Sequence, residues 1–303
     1  MADQAMPDPF TTPEPEPGGD TPAISVVIPF HDRGALLAQA CASLRRQTLP
    51  SWQAILVNDG SLPETRAVAH QLTADDQRFQ LIDVGKERHI PGPWLARNIG
   101  ITASRAPLIA FLDADDLWHP DKLARQLRLH RDQGADLSVT AYLRFRSGNH
   151  GETVVERRTP PPLLTYRELL AGNVVPLSSV IVRRALLQAA ASGACGPFRP
   201  ERHEDYGLWL RLFARCPELR YARLTEPLMA YRLHPGSLSA QRWRSHQAVS
   251  ALLAQHSRHR LEHALLLARW GFARVRERWP HSGSGQMRCR EPLPADYLEP
   301  MSP

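Results

Sequence analysis

Continuous apolar runs alternate with amphipathic segments over the first half of the chain. Four of the runs have the length of buried strands, at 24–30, 53–60, 79–85 and 107–113. The segments that follow them repeat apolar residues with helical spacing, at 35–47, 64–72, 93–104 and 121–133. Strands that are apolar on both faces and alternate with helices are typical of a parallel sheet covered on both sides. The pattern therefore predicts an α/β, Rossmann-like fold with a mostly parallel sheet flanked by helices.

The second half of the chain has a looser pattern. It predicts a strand at 135–146, mixed strand and helix signals at 176–191, an amphipathic helix at 203–215, and strands near 220–224 and 227–239. Residues 241–279 have helical periodicity, and they carry eight arginines against two acidic residues. We therefore predict four segments: a disordered tail at 1–22, an α/β domain at 23–240, a basic helical extension at 241–280 and a disordered tail at 281–303.

The charge and cysteine content of the chain indicate which partners and which cellular compartment to expect. Residues 1–22 contain five acidic residues and no basic one, so the remainder has 37 basic against 26 acidic residues and a net charge of +11. Such a charge favours anionic partners such as nucleotide phosphates and anionic lipid. Nucleic acid is not expected, because the arginines are not interleaved with aromatic residues on a recognisable module. Four cysteines without C-x-x-C spacing, and the lack of a secretory signal or a membrane-length apolar run, predict a cytoplasmic protein.

The fourth apolar run, 107–113, ends in an acidic cluster. Asp113, Asp115 and Asp116 follow one another within four positions, with no basic residue among them. Alternate residues of an extended chain point the same way, so Asp113 and Asp115 can face one ligand. Two carboxylates at the carboxyl end of a strand suit a divalent cation that shares its other positions with phosphate oxygens and water. The alternative, favoured for Asp116, is a turn or helix cap ahead of Pro120.

Six motifs occur in order along the chain: SVVIPFHDR, LVNDGS, ARNIG, FLDADDLWHPDKL, HEDYGLWLRL and YRLHPGSLS. Together they resemble the family 2 glycosyltransferases of the GT-A fold, over roughly residues 24–240. The resemblance implies a nucleotide-diphosphate sugar as donor, typically a UDP-sugar, a divalent metal (Mn²⁺ or Mg²⁺) and inversion at the anomeric carbon. The acceptor hydroxyl would belong to a saccharide or a lipid-linked saccharide, in the synthesis of a polysaccharide or glycolipid.

The same resemblance assigns residues to the nucleotide. Pro29 and the loop after it would line the nucleotide pocket, and Asp59 would accept a hydrogen bond from the base. Arg97 and Asn98 would lie against the nucleotide. Asn58 departs from the family, which often has a second aspartate at this position, and the departure leaves the geometry of the base contact open.

The resemblance also assigns residues to the metal and the diphosphate. Asp113 would lie near the ribose and the metal, and Asp115 would be the direct metal ligand. His234 lies where the family often places a histidine near the metal or the diphosphate, although a histidine beside a proline is also typical of an ordinary loop. Arg232 is a candidate for the diphosphate on the same grounds.

Inversion by direct displacement needs a base that takes the proton from the acceptor hydroxyl. Glu204 and Asp205 begin the predicted helix at 203–215, where acidic residues also occur simply because they stabilise helix N-termini. The resemblance favours Asp205 as the base, with Glu204 orienting it or the acceptor. Adjacent carboxyl groups disfavour double ionisation, which would raise the pKa of the base. A binding protein that keeps the fold but transfers no sugar is the main alternative.

Residues 241–279 allow two further interpretations. The sequence HRLEH at 259–263 fits the H-x-x-E-H signature of a zinc hydrolase, but this short pattern is weak in a chain with 13 histidines. The basic and partly apolar segment either packs on the α/β domain or lies on an anionic membrane. Membrane contact would suit a lipid-linked acceptor at the inner face of the membrane.

Overall fold

The computed structural model describes residues 21–85, 92–148, 151–191, 196–234, 242–278 and 286–298, in which ten strands form one sheet. The strands are β1 (Ile24–Phe30), β2 (Trp52–Asn58), β3 (Phe79–Asp83), β4 (Leu108–Phe111), β5 (Leu117–Trp118), β6 (Leu137–Gly148), β7 (Gly151–Arg158), β8 (Ile181–Arg183), β9 (Tyr221–Arg232) and β10 (Gln286–Pro292). The α-helices are α1 (Gly34–Arg45), α2 (Pro63–Asp75), α3 (Trp94–Ala103), α4 (Lys122–Gln133), α5 (Tyr166–Leu169), α6 (Arg184–Ala190), α7 (Glu204–Arg215), α8 (Arg242–Gln255) and α9 (Arg260–Arg278). All but two residues of the tail predicted at 1–22 lie outside the described residues.

The sheet has a parallel half and a largely antiparallel half. Its strand order is β10-β7-β6-β8-β4-β1-β2-β3, and β9 lies beside β6 and β5. The pairs β1–β2, β1–β4 and β2–β3 are parallel, as the alternation of strands and helices predicts. β8 runs antiparallel to both β4 and β6, and β7 runs antiparallel to β6. The α/β fold predicted from the sequence is confirmed.

Separate apolar clusters cover the two faces of the sheet. On β1 the side chains alternate, so Val27 joins one cluster while Val26 and Ile28 join the other. Helix α3 packs closely on β1, because a Cβ atom added at Gly100 would lie 2.4 Å from Val27 Cγ1. A residue without a side chain is needed for this approach. The glycine of the ARNIG motif therefore holds α3, and Arg97 with it, against the sheet.

The prediction that residues 281–303 are disordered is wrong for residues 286–298. Strand β10 pairs antiparallel with β7, and a short 3₁₀ helix follows it. Tyr297 in this helix is 2 % exposed, and its hydroxyl donates a hydrogen bond to the carbonyl of Pro227. The glycine and serine residues behind the prediction are concentrated at 282–285, and the apolar residues after them cover the edge of β7.

Helices α8 and α9 pack on the larger apolar cluster. The contact uses side chains of both helices: Val249, Leu252, Leu253, Leu266, Leu267 and Trp270. Other apolar side chains of α9 point away from it, and Leu261, Leu265 and Phe272 are 68 %, 63 % and 70 % exposed. Within the described ranges, no helix has both the length and the apolar character that crossing a membrane requires.

Candidate active site

A cleft of about 800 Å³ opens at the carboxyl ends of β1 and β4. Its walls are the loop after β1, the acidic loop after β4, the start of α7 and the β6–β7 hairpin. The cleft brings together most of the residues predicted for the site: Pro29, Arg97, Asp113, Asp115, Glu204, Asp205 and His234. Ligands of parallel sheets bind beyond the carboxyl ends of the strands, so the cleft lies where the sequence analysis expects the site.

Asp115 and His234 meet in this cleft together with Arg33. His234 Nε2 lies 2.8 Å from Asp115 Oδ2, while Arg33 Nη1 lies 2.8 Å from the same nitrogen and 3.6 Å from the same oxygen. Arg33 has a left-handed backbone with φ of 59°, directly after Asp32 with φ of 55°. Residues other than glycine adopt this region rarely and at an energetic cost. The backbone of the loop before α1 is therefore strained at these two residues. This conformation places the Arg33 guanidinium beside Asp115.

Arg97 connects two acidic parts of the cleft. It is 4 % exposed, and its Nη2 atom donates to Asp113 Oδ1 at 2.6 Å while Nη1 donates to Glu204 Oε1. Burial lowers the pKa of Arg97, but the charges of Asp113 and Glu204 outweigh this effect and raise the pKa above its usual value. Arg97 stays charged, and it ties the first turn of α7 to the loop after β4.

The charges of the acidic cluster are offset by groups from distant parts of the chain. Asp113 is paired with Arg97 of α3, and Asp115 is paired with Arg33 of the loop before α1. Asp116 is 1 % exposed, and burial together with the charges of Asp115 and Asp113 raises its pKa well above the usual range. Its Oδ1 atom accepts a hydrogen bond from the backbone N–H of Arg232 at 3.1 Å. The raised pKa shifts Asp116 towards its uncharged form, in which it repels Asp113 and Asp115 less.

The two carboxyl groups at the start of α7 have different environments. Asp205 is partly exposed, and its Oδ2 atom accepts a hydrogen bond from Asn173 Nδ2 at 2.9 Å. Glu204 is 6 % exposed, and burial raises its pKa to about 7, with Arg97 opposing the increase and Asp205 adding to it. The increase in pKa that was expected from two adjacent carboxyl groups therefore occurs at Glu204. Asp205 is the carboxylate that is both oriented by a neighbour and accessible to a ligand.

The residues predicted to read the base lie beside the cleft. Asp59 follows β2, and its carbonyl oxygen lies 2.6 Å from Nδ1 of His31, which lines the cleft. Asn58 is buried, and its side chain donates to Asp83 and accepts from the backbone N–H of Ser61. An amide can donate and accept at once, whereas a second carboxylate at this position would repel Asp83. The departure of Asn58 from the family pattern therefore has a structural reason.

Two predicted ligand-binding residues instead support the framework of the site. The side chain of Asn98 bonds both backbone groups of Phe198, donating to the carbonyl at 2.8 Å and accepting from the N–H at 3.0 Å. Arg232 is 5 % exposed and donates to the carbonyl of Asp115 at 2.9 Å and to Glu152 at 3.0 Å. The structure brings neither side chain to the cleft, so their positions do not support contacts with the nucleotide or the diphosphate.

The Asp115–His234 pair fits a divalent cation. His234 Nε2 can accept a hydrogen bond from Arg33 only without a proton, and it can donate one to Asp115 only with a proton. Asp115 and His234 would both be suitable ligands of a bound cation, and Mg²⁺ or Mn²⁺ commonly takes few protein ligands beside phosphate oxygens and water. Among the described residues no group of three or more His, Cys, Asp or Glu side chains is arranged to hold a metal ion. Asp113, predicted to lie near the metal, is instead engaged by Arg97.

The side chains of the HRLEH segment make local helix contacts. His259 Nδ1 accepts the backbone N–H of Glu262 at 3.2 Å, and Glu262 Oε2 accepts the backbone N–H of Arg258 at 2.6 Å. His263 Nε2 lies 3.0 Å from the carbonyl oxygen of Ser250 on α8. These contacts begin α9 and join it to α8, so the structure gives no support to a zinc hydrolase.

Several residues of the cleft have no role assigned from the sequence. Arg33 ends the SVVIPFHDR motif and lies in the loop predicted to line the pocket, but its contact with Asp115 was not predicted. Asn173 lies in a loop outside the six motifs, and nothing in the sequence connects it with Asp205. Other missed residues lie on the β6–β7 hairpin: Tyr142, Arg144 and Arg158. The alternation in YLRFR places the first two on one face of a strand, and this signal could have identified them.

The chain matches a protein-family model, and it resembles known glycosyltransferases in sequence and in structure. The family model described as "Glycosyl transferase family 2" matches residues 25–190, more than half of the chain. The "Putative teichuronic acid biosynthesis glycosyltransferase TuaG" of Bacillus subtilis is 26 % identical over 225 residues, which are 74 % of this chain and 84 % of that protein. The "UDP-Glc:alpha-D-GlcNAc-diphosphoundecaprenol beta-1,3-glucosyltransferase WfgD" of Escherichia coli is 27 % identical over 195 residues, which are 62 % of this chain and 69 % of that protein.

The solved structure is that of glucosyl-3-phosphoglycerate synthase from Mycobacterium tuberculosis in complex with Mn²⁺, UDP and glucosyl-3-phosphoglycerate. It superposes with a TM-score of 0.54 at 22 % identity, over 77 % of this chain and 79 % of that chain. At this identity the similarity concerns the fold alone, and it confirms the GT-A architecture expected from the motifs.

Proposed function

Since this chain belongs to glycosyl transferase family 2, we propose that it is an inverting, metal-assisted enzyme that moves a sugar from a UDP-sugar to the hydroxyl of a saccharide acceptor. The observation that carries the proposal is one cleft that contains both the Asp115–His234 pair and Asp205. The pair suits the diphosphate of the donor, and Asp205 suits the proton of the acceptor. UDP-glucose in the name of the Escherichia coli relative supports the choice of donor.

The leaving group of this reaction is a nucleoside diphosphate, whose developing negative charge must be offset. Asp115 Oδ2 and His234 Nε2 would hold a Mn²⁺ or Mg²⁺ ion, and such an ion neutralises charge on the diphosphate oxygens when it is bound. Mn²⁺ in the Mycobacterium tuberculosis synthase supports this assignment. Arg33 Nη1, 2.8 Å from His234 Nε2, adds a positive charge at the same place.

The acceptor hydroxyl loses its proton as its oxygen attacks the anomeric carbon. Asp205 takes this proton, and the hydrogen bond from Asn173 orients its carboxylate. Glu204 is held by Arg97, and it keeps the first turn of α7 in place rather than meeting the acceptor. Attack from the side opposite the leaving group inverts the configuration of the anomeric carbon.

The uridine of the donor lies beside the end of β2 in this proposal. Pro29 and His31 line the nearby wall of the cleft, and Asp59 is bonded to His31 through its backbone. The carboxylate of Asp59 would accept a hydrogen bond from the uracil N–H, which a cytosine or adenine base does not offer in the same form. Asp59 is the residue that would select uridine.

The proposal is tested by UDP binding in the presence and absence of metal. Native protein should bind UDP more tightly with Mn²⁺ than with a chelator in isothermal titration calorimetry, and Asp115→Ala should remove this difference. Asp132→Ala, at an exposed position of α4 outside the cleft, is the matched control. Equal affinity of native protein for UDP with Mn²⁺ and with chelator would exclude a metal-assisted donor site.

We further propose that the acceptor is lipid-linked and that α9 rests on an anionic membrane surface. Leu261, Leu265 and Phe272 lie within about 40° of one another around the helix, and each is more than 60 % exposed. The side of α9 that packs on the core is opposite to them. Arg258 and Arg260 at the start of the helix are exposed. An apolar stripe beside arginines complements a leaflet with anionic head groups.

Vesicle sedimentation tests the membrane contact. Native protein should sediment with vesicles rich in phosphatidylglycerol, and Leu265→Ser with Phe272→Ser should abolish this. Leu163→Ser is the matched control, because Leu163 is 63 % exposed but lies outside α9. A different result would contradict the membrane contact: the native protein does not sediment with vesicles, but it forms a dimer that the double variant does not form. This face of α9 would then bind a second copy of the chain.

A further inference from the structure

A basic cluster lies on the wall of the cleft that the β6–β7 hairpin forms. Tyr142 and Arg144 of β6 lie opposite Arg158 and Glu156 of β7, respectively. Residues two apart on a strand share a face, as do residues directly opposite each other on paired strands. The four side chains therefore lie together, and Tyr142, Arg144 and Arg158 line the cleft.

One carboxylate serves both arginines of the cluster. Arg144 Nη1 donates to Glu156 Oε2 at 2.5 Å, and Arg158 Nε lies 3.1 Å from Glu156 Oε1. Two guanidinium groups and one carboxylate give these three side chains a net charge of +1. The side chains of Arg144 and Arg158 are 29 % and 23 % exposed. Glu156 thus orients two guanidinium groups that still face the cleft, an arrangement that suits the oxygens of a phosphate group.

The topology separates this cluster from the place of the uridine. In the strand order, β2 and β3 lie on one side of the β1–β4 pair, while β6 and β7 lie beyond β8 on the other side. The acidic loop after β4, with Asp115, lies between the two regions. A UDP-sugar with its uridine beside β2 and its diphosphate at Asp115 therefore leaves Arg144 and Arg158 for the other substrate.

We propose that Tyr142, Arg144 and Arg158 form a subsite for a phosphate or diphosphate group of the acceptor. The acceptor is then an anionic saccharide whose phosphate lies near the sugar that is extended. Arg202, next to the start of α7 on the same cleft, adds positive charge close to Asp205. This inference rests on the proposed function, since it defines the chemical class of the acceptor in the transfer reaction.

The test uses the full chain with its donor site filled by UDP and Mn²⁺. Calorimetric titration with geranyl diphosphate and with inorganic pyrophosphate measures the second site. Arg144→Ala with Arg158→Ala should weaken the binding of geranyl diphosphate about tenfold or more, because two charge-assisted contacts are lost. Arg128→Ala is the matched control, since Arg128 is exposed on α4 outside the cleft. UDP affinity, measured on each variant, should remain unchanged and so reports an intact fold and donor site.

The Arg144→Lys with Arg158→Lys variant covers the case in which the alanine variant does not fold. It keeps the charge but loses the bidentate geometry, so its affinity for the probe should fall between those of the native and alanine proteins. Tighter binding of geranyl diphosphate than of pyrophosphate assigns a lipid-linked phosphate, and equal binding assigns the diphosphate group itself. Either result supports the subsite.

Three results overturn the inference. If neither probe binds the UDP-loaded native protein, or if the Arg144 and Arg158 variants bind the probe as tightly as Arg128→Ala does, the subsite is excluded and the proposed function stands. If UDP itself does not bind the native protein, the proposed function fails and the inference fails with it.

Discussion

The Asp205→Asn substitution distinguishes a transferase from a binding protein with the same fold, because only a transferase needs a general base. The substitution replaces one carboxylate oxygen by an amide and keeps the size of the side chain. In the native protein, Asn173 Nδ2 donates a hydrogen bond to Asp205 Oδ2 at 2.9 Å. The new amide can still accept this hydrogen bond if the amide oxygen takes the place of Oδ2. The first turn of α7 should therefore stay in place, and the amide cannot take a proton from the acceptor at neutral pH.

The expected loss follows from the role of a base. Positioned general-base catalysis is worth about 10²–10⁴ in rate, which is about 3–5 kcal/mol of activation free energy. The retained hydrogen bond limits the change in the free energy of unfolding to about 1 kcal/mol. Donor binding should be unaffected, because the predicted metal and diphosphate ligands, Asp115 and His234, lie on other elements of the cleft. The effect should therefore fall on kcat and not on the affinity for UDP.

The assay measures the rate of UDP release by the native protein and by Asp205→Asn, with a UDP-sugar and an acceptor. Slow hydrolysis of the donor replaces transfer if no acceptor is used. Asp132→Asn, at an exposed position on α4, is the control for an equivalent change of charge. Turnover of Asp205→Asn within about threefold of the native rate would remove Asp205 from the mechanism, since a general base is worth far more. Loss of UDP affinity would instead place Asp205 in the metal and diphosphate site.

Two further predictions concern stability. The pKa of Glu204 is about 7 in the folded protein and 4.5 for the free group, so its contribution to stability is present at low pH and is lost as the pH rises through 7. Glu204→Gln should therefore flatten the decline in the free energy of unfolding from about pH 5 to pH 8, and an unchanged decline in urea titrations would contradict the burial effect. Gly100→Ala should destabilise the fold by about 1–3 kcal/mol, because the added Cβ atom lies 2.4 Å from Val27 Cγ1; an unchanged melting temperature would refute this close packing.

The first half of the fold could be predicted because its signals are local. Strand β1 has the bounds expected from its apolar run, and α1 to α4 lie within a few residues of their predicted positions. Buried parallel strands need apolar side chains on both faces, so their sequences are distinctive. The position of Asp115 at the end of β4, and of Asp205 at the start of α7, followed from the same patterns.

The partners of these site residues could not be predicted. The contact of Arg33 with His234 joins residues 201 positions apart, and that of Arg97 with Glu204 joins residues 107 positions apart. No local periodicity carries such information. Strand β7 escaped notice because it is largely polar and only partly buried, and β10 because the glycines and serines before it resemble a linker.

The strained loop at Asp32 and Arg33 sets stability and activity against each other. Glycine adopts a positive φ without strain, so Arg33→Gly should relax a backbone that now has φ of 59°. It would also remove the only side chain of that loop that reaches both Asp115 and His234 among the described contacts. A screen for heat-resistant variants would therefore favour a protein that melts later and transfers sugar more slowly, whereas selection for turnover would keep the arginine.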